Sequence, residues 1–394
     1  MAITDRKLAN GKVRYDVRLR DPSGTMKSKT FRTKDNAKRW EREQLTSLER
    51  GGWIDPSAGK VTLAEWVEDW QSTVVDLRES TQRIYADNLR LHIVPELGDV
   101  PLGLLTPTLL TAWLAELRKK PSSRRRRDDA GELIEVPLAP ASVDQAYRTL
   151  HRVLQAAVEA ERLARNPLVA VKRPKVERHE MLFATPAQVA ALVEAIDDRF
   201  RAFVLLGAYT GLRAGELRAL KRRKLDLLRR VVTVDAQVVD EDGVAQLVAY
   251  TKTPASRRSV ALAPPIIPAI EHHLATYVDA GAGAYVLTNP DGHGPLNLNN
   301  FRRRQWKTAV KAAGLPDGFR IHDLRHTFAS WSIAAGADLK VLQTALGHAS
   351  ATVTLDTYGH LMPGQSDELA RRLGELFDAA QPVRSAKVLQ MNVR

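Results

Sequence analysis

His322-Asp323-Leu324-Arg325-His326 is the run on which the reading of this chain turns. At helical spacing His322 shares a face with Arg325, and also with His326. Further on, Leu346-Gly347-His348 closes another helical stretch, with Gly347 suited to a C-cap and His348 emerging just past it. Tyr358 follows within Thr354-Leu355-Asp356-Thr357-Tyr358-Gly359-His360.

Working upstream, Thr210-Gly211-Leu212-Arg213-Ala214-Gly215-Glu216-Leu217 sets a glycine turn directly before a helix start. Backbone N–H groups and the Arg213 guanidinium can converge there on one anion. Glu216 lies on the same face and can steady an arginine or histidine; the plainer reading is a surface pair worth under about 1 kcal/mol. Lys252, in Tyr250-Thr251-Lys252-Thr253-Pro254, follows an expected strand. An ammonium on such a loop can swing toward a leaving oxygen and protonate it, or simply be solvated. Arg257 and Arg258 close by are suited to holding DNA backbone.

These residues suit one chemistry. Two arginines, a lysine and two histidines can neutralise a phosphodiester, and a tyrosine downstream can attack it. A phenol with an ordinary pKa near 10 needs cations to stabilise the phenolate and the developing phosphorane. The competing readings are a core tyrosine with a satisfied hydroxyl and a zinc pair at His322 and His326. Hydrolytic zinc helices carry Glu directly after the first His, where this chain has Asp323, and no third ligand announces itself.

Composition agrees with a polyanion partner. The 394 residues carry 59 Lys/Arg against 46 Asp/Glu, a formal net charge of +13, and the hydrophobic fraction of 44% can bury two or three cores. With no cysteine, disulfide frameworks, thiol nucleophiles and Cys-based zinc fingers are excluded. The N-terminus lacks the apolar stretch of a secretory signal and no long apolar run occurs, so a cytoplasmic protein without a membrane span is expected.

Three domains are expected. Residues 1–52 hold 14 Lys/Arg against 7 Asp/Glu. Val13, Tyr15, Val17 and Leu19 alternate with the charged residues Lys12, Arg14, Asp16, Arg18 and Arg20 as in a half-buried strand, Lys27 to Arg32 reads as a returning strand, and Thr33 to Arg50 as a helix. Arg14, Arg18, Arg20, Lys27 and Lys29 on the polar face of this small module suit groove binding. After a linker, Thr62-Leu63-Ala64-Glu65 resembles a capping box. Helices are expected from there, then over Ser80 to Ile93, Thr106 to Lys119 and Ala141 to Ala164, with Arg124 to Arg127 in a mobile loop. From Met181 helices are expected over Pro186 to Ile196, Phe200 to Thr210 and Ala214 to Leu220. Val231 to Val239 and Ala245 to Tyr250 read as a hairpin turning at Asp242-Gly243, and Ser259 to Leu262 as a further strand. The boundaries are 1–55, 60–175 and 181–380, with a tail over 381–394. The fold class is mainly α with small β elements, α+β overall.

The ordered set Arg213, Lys252, His322-x-x-Arg325, His348 and Tyr358, with the Thr-Gly-Leu-Arg-x-Gly-Glu-Leu and Leu-Gly-His runs, resembles that of the tyrosine recombinases. The order of a small basic sheet module, a helical domain and a catalytic domain resembles phage integrases of the lambda type. The likeness implies arm-site binding by residues 1–55, core-site binding by 60–175, and chemistry by the rest. Tyr358 would form a 3′-phosphotyrosyl link and release a 5′-hydroxyl, Arg213 and Arg325 would clamp the non-bridging oxygens, and His348 would add a hydrogen bond. Lys252 would be the general acid, His322 would assist proton transfer at Tyr358, and Glu216 would support the pocket. Religation would need no ATP, and fixed cations would fill the role of a metal, so neither cofactor nor metal is implied. The implied partners are double-stranded attachment sites of core and arm types and a DNA-bound homotetramer passing through a Holliday junction, with room for a host bending protein or a directionality factor. A helix over Ser366 to Ala380, with Leu369, Leu373, Leu376 and Phe377 on one side, could dock on a neighbouring protomer or pack in cis. A type IB topoisomerase, a host chromosome-dimer recombinase and a nonenzymatic DNA-binding protein are the alternatives.

Overall fold

The computed structural model describes residues 2–20, 24–49, 55, 58–77, 79–127, 132–177, 180–241, 243–249, 257–362, 370–371 and 373–377. The chain forms two compact units, the first ending at residue 178 and the second beginning at 179.

In the first unit, β1 (Ala2–Lys7), β2 (Val13–Arg20) and β3 (Met26–Phe31) form an antiparallel sheet with β2 central. The period-2 pattern belongs to that central strand: Val17 and Leu19 are buried while Arg18 and Arg20 face solvent. α1 (Lys34–Glu49) closes a small core by adding Ala37 and Trp40. The periodicity gives no sign of β1, whose polar residues alternate poorly; its pairing with β2, from Ala2 opposite Arg18 to Lys7 opposite Val13, supplies the backbone partners that hold it.

A separate core forms between α2 (Leu63–Thr73), α3 (Glu79–Asn88), α4 (Val94–Leu97), α5 (Pro107–Lys119) and α6 (Pro140–Glu159). The expected capping box is made: the Glu65 backbone N–H donates to the Thr62 hydroxyl and the Thr62 N–H to the Glu65 carboxylate. The single helix expected over Ser80 to Ile93 instead widens into a π turn at Leu89–Ile93 before α4. Pro95 lacks the N–H that an α-helix would direct at the Leu91 carbonyl, and the Lys120 ammonium takes that oxygen at 2.8 Å. α6 ends at Glu159, short of the expected Ala164, and Glu161 follows in the left-handed region at φ 55°. The arginine run is not a loop. It lies in β4 (Pro121–Arg127), which pairs with β5 (Leu133–Pro137) so that Arg125 stands opposite Glu135.

The second unit holds the larger core. α7 (Pro186–Ala195), α8 (Asp198–Thr210) and α9 (Ala214–Ala219) match the three expected helices within two residues at each end. They are followed by β6 (Leu225–Asp226), β7 (Val231–Val234), β8 (Ala236–Glu241), β9 (Val244–Ala249) and β10 (Arg258–Ala261). The apolar run Val231 to Val239 is two strands rather than one. β7 lies between β10 and β6 in an antiparallel sheet, whereas β8 pairs with β9 and, among the described residues, with no other strand; the pairing runs up to Glu241 opposite Val244, the antiparallel pair that the sequence leads one to expect, and Asp242 lies outside the described residues. Asp235, between the two strands, is paired with Lys224, which marks the break.

Then come α10 (Ile267–Tyr277), α11 (Leu298–Phe301), α12 (Lys307–Ala312), α13 (Asp323–Ala334), α14 (Leu339–Leu346) and α15 (Ala351–Tyr358). α13 packs on α8, and its Thr327 hydroxyl and Trp331 indole bond the backbone N–H and carbonyl of Ala184. Of the helix expected over Ser366 to Ala380, Leu373, Leu376 and Phe377 are exposed, and Leu369 lies outside the described residues. No helix among the described residues is long and apolar enough to cross a membrane. Mostly helical with small sheets, the chain has the α+β architecture its sequence implies.

Candidate active site

α8 stops at Gly211, whose φ of +64° is left-handed, and a Cβ there would lie 2.4 Å from the Phe328 ring. Only glycine fits that corner. The reversal delivers Arg213 to the N-terminus of α9, where its backbone N–H donates to Glu216 Oε2 at 2.8 Å and its Nη1 to Oε1 at 3.1 Å. α9 is anchored to β8 through Arg218, whose guanidinium grips Asp240 at 2.9 and 2.6 Å.

Glu216 is 1% exposed and is no surface pair. Arg258 clamps it with two parallel bonds, Nη1 to Oε1 at 2.9 Å and Nη2 to Oε2 at 2.8 Å. Burial by itself raises the Glu216 pKa, but the hydrogen bonds and charge of Arg258, joined by Arg213, bring it down to about 2. The expected phosphate-holding role of Arg258 is therefore corrected. Its side chain is buried and spent on Glu216 and on the Ala345 carbonyl, while Arg257 beside it is exposed.

The C-terminus of α14 draws the cations together. Three successive carbonyls accept from three arginines remote in sequence: Ala345 from Arg258 Nε at 2.6 Å, Leu346 from Arg325 Nη2 at 2.7 Å, and Gly347 from Arg213 Nη2 at 3.3 Å. Unpaired carbonyls and the negative end of the helix dipole make this end a cation seat. Gly347, at φ +64°, ends the helix there, and a Cβ would sit 2.7 Å from Arg258 Nη1.

Arg325 is 2% exposed and also donates through Nη1 to the Gly211 carbonyl at 2.7 Å, so it ties the Arg213 loop to the His348 loop. Burial, then the Arg213 charge, lower its pKa to about 9, leaving it charged at neutral pH. A buried cation whose surroundings disfavour its charge is poised to gain from an arriving anion.

Tyr358, 1% exposed, ends α15. Its ring stacks with His348 at a centroid distance of 6.5 Å and an interplanar angle of 9°. Burial raises the phenol pKa, while Arg325 and Arg213 work against that rise. His348 Nδ1 lies 2.9 Å from the buried Thr354 hydroxyl. Burial and then Arg325 lower His348 to about 4, so it is neutral at pH 7. Of the two neutral tautomers, the one in which Nδ1 accepts from the Thr354 hydroxyl carries its proton on Nε2, the arrangement a phosphoryl hydrogen bond needs.

The sequence reading assigns proton transfer at Tyr358 to His322, but that contact is made by another residue. His326 Nδ1 is 2.8 Å from the Tyr358 hydroxyl, whereas His322 is exposed and, among the described residues, has no hydrogen bond to it. The two imidazoles meet edge to face at 4.9 Å. Although part of its surface is open, the protein around the ring strips away some of its water, and this, followed by the Arg325 charge, lowers the His322 pKa. His326 passes in sequence for a buried or capping histidine. Its shared face with His322, one turn apart, is legible in the sequence, where it suggests a zinc pair and not a partner for Tyr358.

Arg213, Arg325, His348, Tyr358, Glu216 and His322 thus gather in the second unit, and Lys252 lies outside the described residues. Of the groove-binding candidates, Arg18 and Arg20 are exposed and Arg14 is half-buried on the same strand. Lys27 pairs with Asp55 at 2.6 Å, and Lys29 lies 5.6 Å from the ring centroids of both Phe31 and Trp40.

Removing the Glu216 charge tests how this cradle is held. Glu216→Gln strands Arg258 as a buried cation, and the expected loss is about 3–5 kcal/mol of unfolding free energy at pH 7, measured by denaturant titration. The folded pKa lies below the unfolded one, so the stabilisation is full above the ordinary carboxylate range and fades as pH falls toward 2. The gap between wild type and variant should shrink at pH 3; a constant gap would show that ionic pairing is not what the glutamate supplies.

The phage integrase family profile matches residues 183–364, and the N-terminal SAM-like domain of phage integrases matches residues 62–118. The putative prophage phiRv2 integrase of Mycobacterium tuberculosis is 29% identical over 358 residues, covering 89% of each chain. The integrase of Mycobacterium phage D29 is 28% identical over 359 residues, covering 86% of this chain and 87% of its own. Among solved structures, the Tn1549 transposon integrase in complex with a circular intermediate DNA superposes with a TM-score of 0.64 at 19% identity, over 80% of this chain and 99% of that one. The lambda integrase tetramer bound to a Holliday junction gives 0.53 at 20% identity, over 88% and 96%. The chain belongs to the phage integrase family and is a tyrosine-type site-specific recombinase.

Proposed function

We propose that this recombinase integrates or excises a phage or other mobile element by cutting and rejoining DNA with Tyr358 as nucleophile. The observation that carries the reading is the shared seat of Arg213 and Arg325 on the end of α14, beside the His348 ring stacked on Tyr358. A scissile phosphate entering there meets two guanidinium groups for its non-bridging oxygens and a neutral imidazole for a further hydrogen bond. Attack by the phenol oxygen gives a 3′-phosphotyrosyl link and a free 5′-hydroxyl, with Lys252 as the acid for the leaving oxygen. Bond energy is kept in the link, so a partner strand's hydroxyl can reverse the step without ATP.

Residues 1–55 serve as an arm-type DNA-binding domain, 60–175 as the core-site domain and 181–380 as the catalytic domain. Exchange between two duplexes needs four such sites, hence a homotetramer passing through a Holliday junction; lambda integrase is seen as a tetramer bound to one.

The test is to incubate the full chain, in EDTA, with nicked DNA carrying the junction sequences that flank the integrated element. Expected is an SDS-resistant adduct on the 3′ side of the break, with the modified peptide containing Tyr358. A mobility shift without any adduct would reduce the protein to a DNA-binding role, and supercoil relaxation without strand exchange would place it with topoisomerase-like enzymes.

A further inference from the structure

We propose that His326, one turn beyond the histidine expected to do so, takes the proton from Tyr358 during strand cleavage and returns it during rejoining. The proposal rests on the recombinase reading above and deepens it. His326 Nδ1 is the ring atom at hydrogen-bond distance from the nucleophile's hydroxyl, 2.8 Å away. Both groups are shut from solvent, Tyr358 at 1% and His326 at 9% exposure, so bulk water is poorly placed to accept that proton. His348 occupies the space parallel to the tyrosine ring and is engaged at Nδ1 with Thr354, which leaves the hydroxyl to His326.

The step balances as follows. The Tyr358 oxygen bonds to phosphorus as the phosphorus–O5′ bond breaks; the phenolic proton passes to Nδ1, and the leaving oxygen takes a separate proton from the general acid. In rejoining, the imidazolium gives its proton back as the phenol departs. Nδ1 must carry a lone pair at the start, which is the Nε2–H tautomer. His326 faces Tyr358 from α15 and, from its own helix and the turn before it, His322, Asp323, Arg320 and Arg325. Burial first, then His322, lower its pKa to about 4, so the lone pair is available throughout the neutral range. A base this weak suffices, because the proton on the attacking oxygen becomes strongly acidic as its bond to phosphorus forms.

The test uses the full chain and a duplex of the flanking junction sequences with a 5′-bridging phosphorothiolate at the mapped scissile position. The sulfur leaves without needing an acid, so the single-turnover rate reports the nucleophile alone. Wild type should be level from pH 6 to 9. His326→Ala should cleave about 100-fold more slowly at pH 7 and gain tenfold per pH unit as free phenolate replaces the lost base. His326→Asn keeps a polar atom near the Nδ1 position without a base, and should fold even if Ala does not while showing the same slope. His322→Ala should lower the rate by one factor at every pH. A level profile in both His326 variants, or full recovery by Asn, overturns the proposal. If wild type forms no adduct at all, the recombinase reading falls with it; if the adduct forms and only the profile is level, His326 alone is mistaken.

Discussion

Tyr358→Phe is expected to bind attachment-site DNA with unchanged affinity and to form no covalent adduct under conditions where the wild-type chain forms one. The substitution removes a single oxygen, and the ring keeps its packing among Ala329, Ile333, Leu342 and Leu346 and its stack on His348. Arg213, Arg325 and His348 are not altered, so phosphate attraction is preserved while the attacking atom is gone. The cost falls on His326 Nδ1, which loses its partner in a buried place, at about 1–3 kcal/mol. Thermal denaturation should register that loss as a modest drop in a still cooperative transition. Gel electrophoresis in SDS decides the chemical claim: a surviving adduct in the variant would transfer the nucleophile to another residue.

Arg325→Lys is expected to lower single-turnover cleavage by about 100- to 1,000-fold while weakening DNA binding far less. The variant keeps a positive charge, so the experiment separates charge from shape. Arg325 spends Nη1 on Gly211 and Nη2 on Leu346, and the planar fork holds these carbonyls, belonging to two separate loops, at one spacing. A lysine presents one compact ammonium, which cannot span both carbonyls and still face a phosphate with fixed geometry. The loops carrying Arg213 and His348 would lose their common tie as well as one clamp. The measurement is the cleavage rate at saturating protein, where affinity no longer enters. A lysine variant cleaving at the wild-type rate would mean that the guanidinium acts only through its charge.

The candidate site was legible in sequence as a set of residue types in order, because phosphoryl transfer by a tyrosine needs fixed cations and a phenol. Gly211 and Gly347 could be placed at helix ends for a local reason, since each must turn left-handed. Local logic also found the Thr62–Glu65 box and the strand at Val13 to Leu19. It failed where partners come from afar. Arg124 to Arg127 resembles a repelling loop until β5 brings Glu135 opposite Arg125, and the run from Val231 to Val239 is one strand until β10 and β9 claim different parts of it.

Sequence by itself therefore determined the chemistry, the family resemblance and the mainly helical class, all of which depend on residue identity, order and short-range period. Only the tertiary structure decided how the groups are used. It turned Arg258 inward onto Glu216, seated three arginines on three adjacent carbonyls of α14, and gave the Tyr358 hydroxyl to His326 instead of His322. Those outcomes turn on ångström-scale distances between segments up to 134 residues apart, and on which charges lose their water when the core closes. Neither quantity is carried by the spacing of letters along a chain.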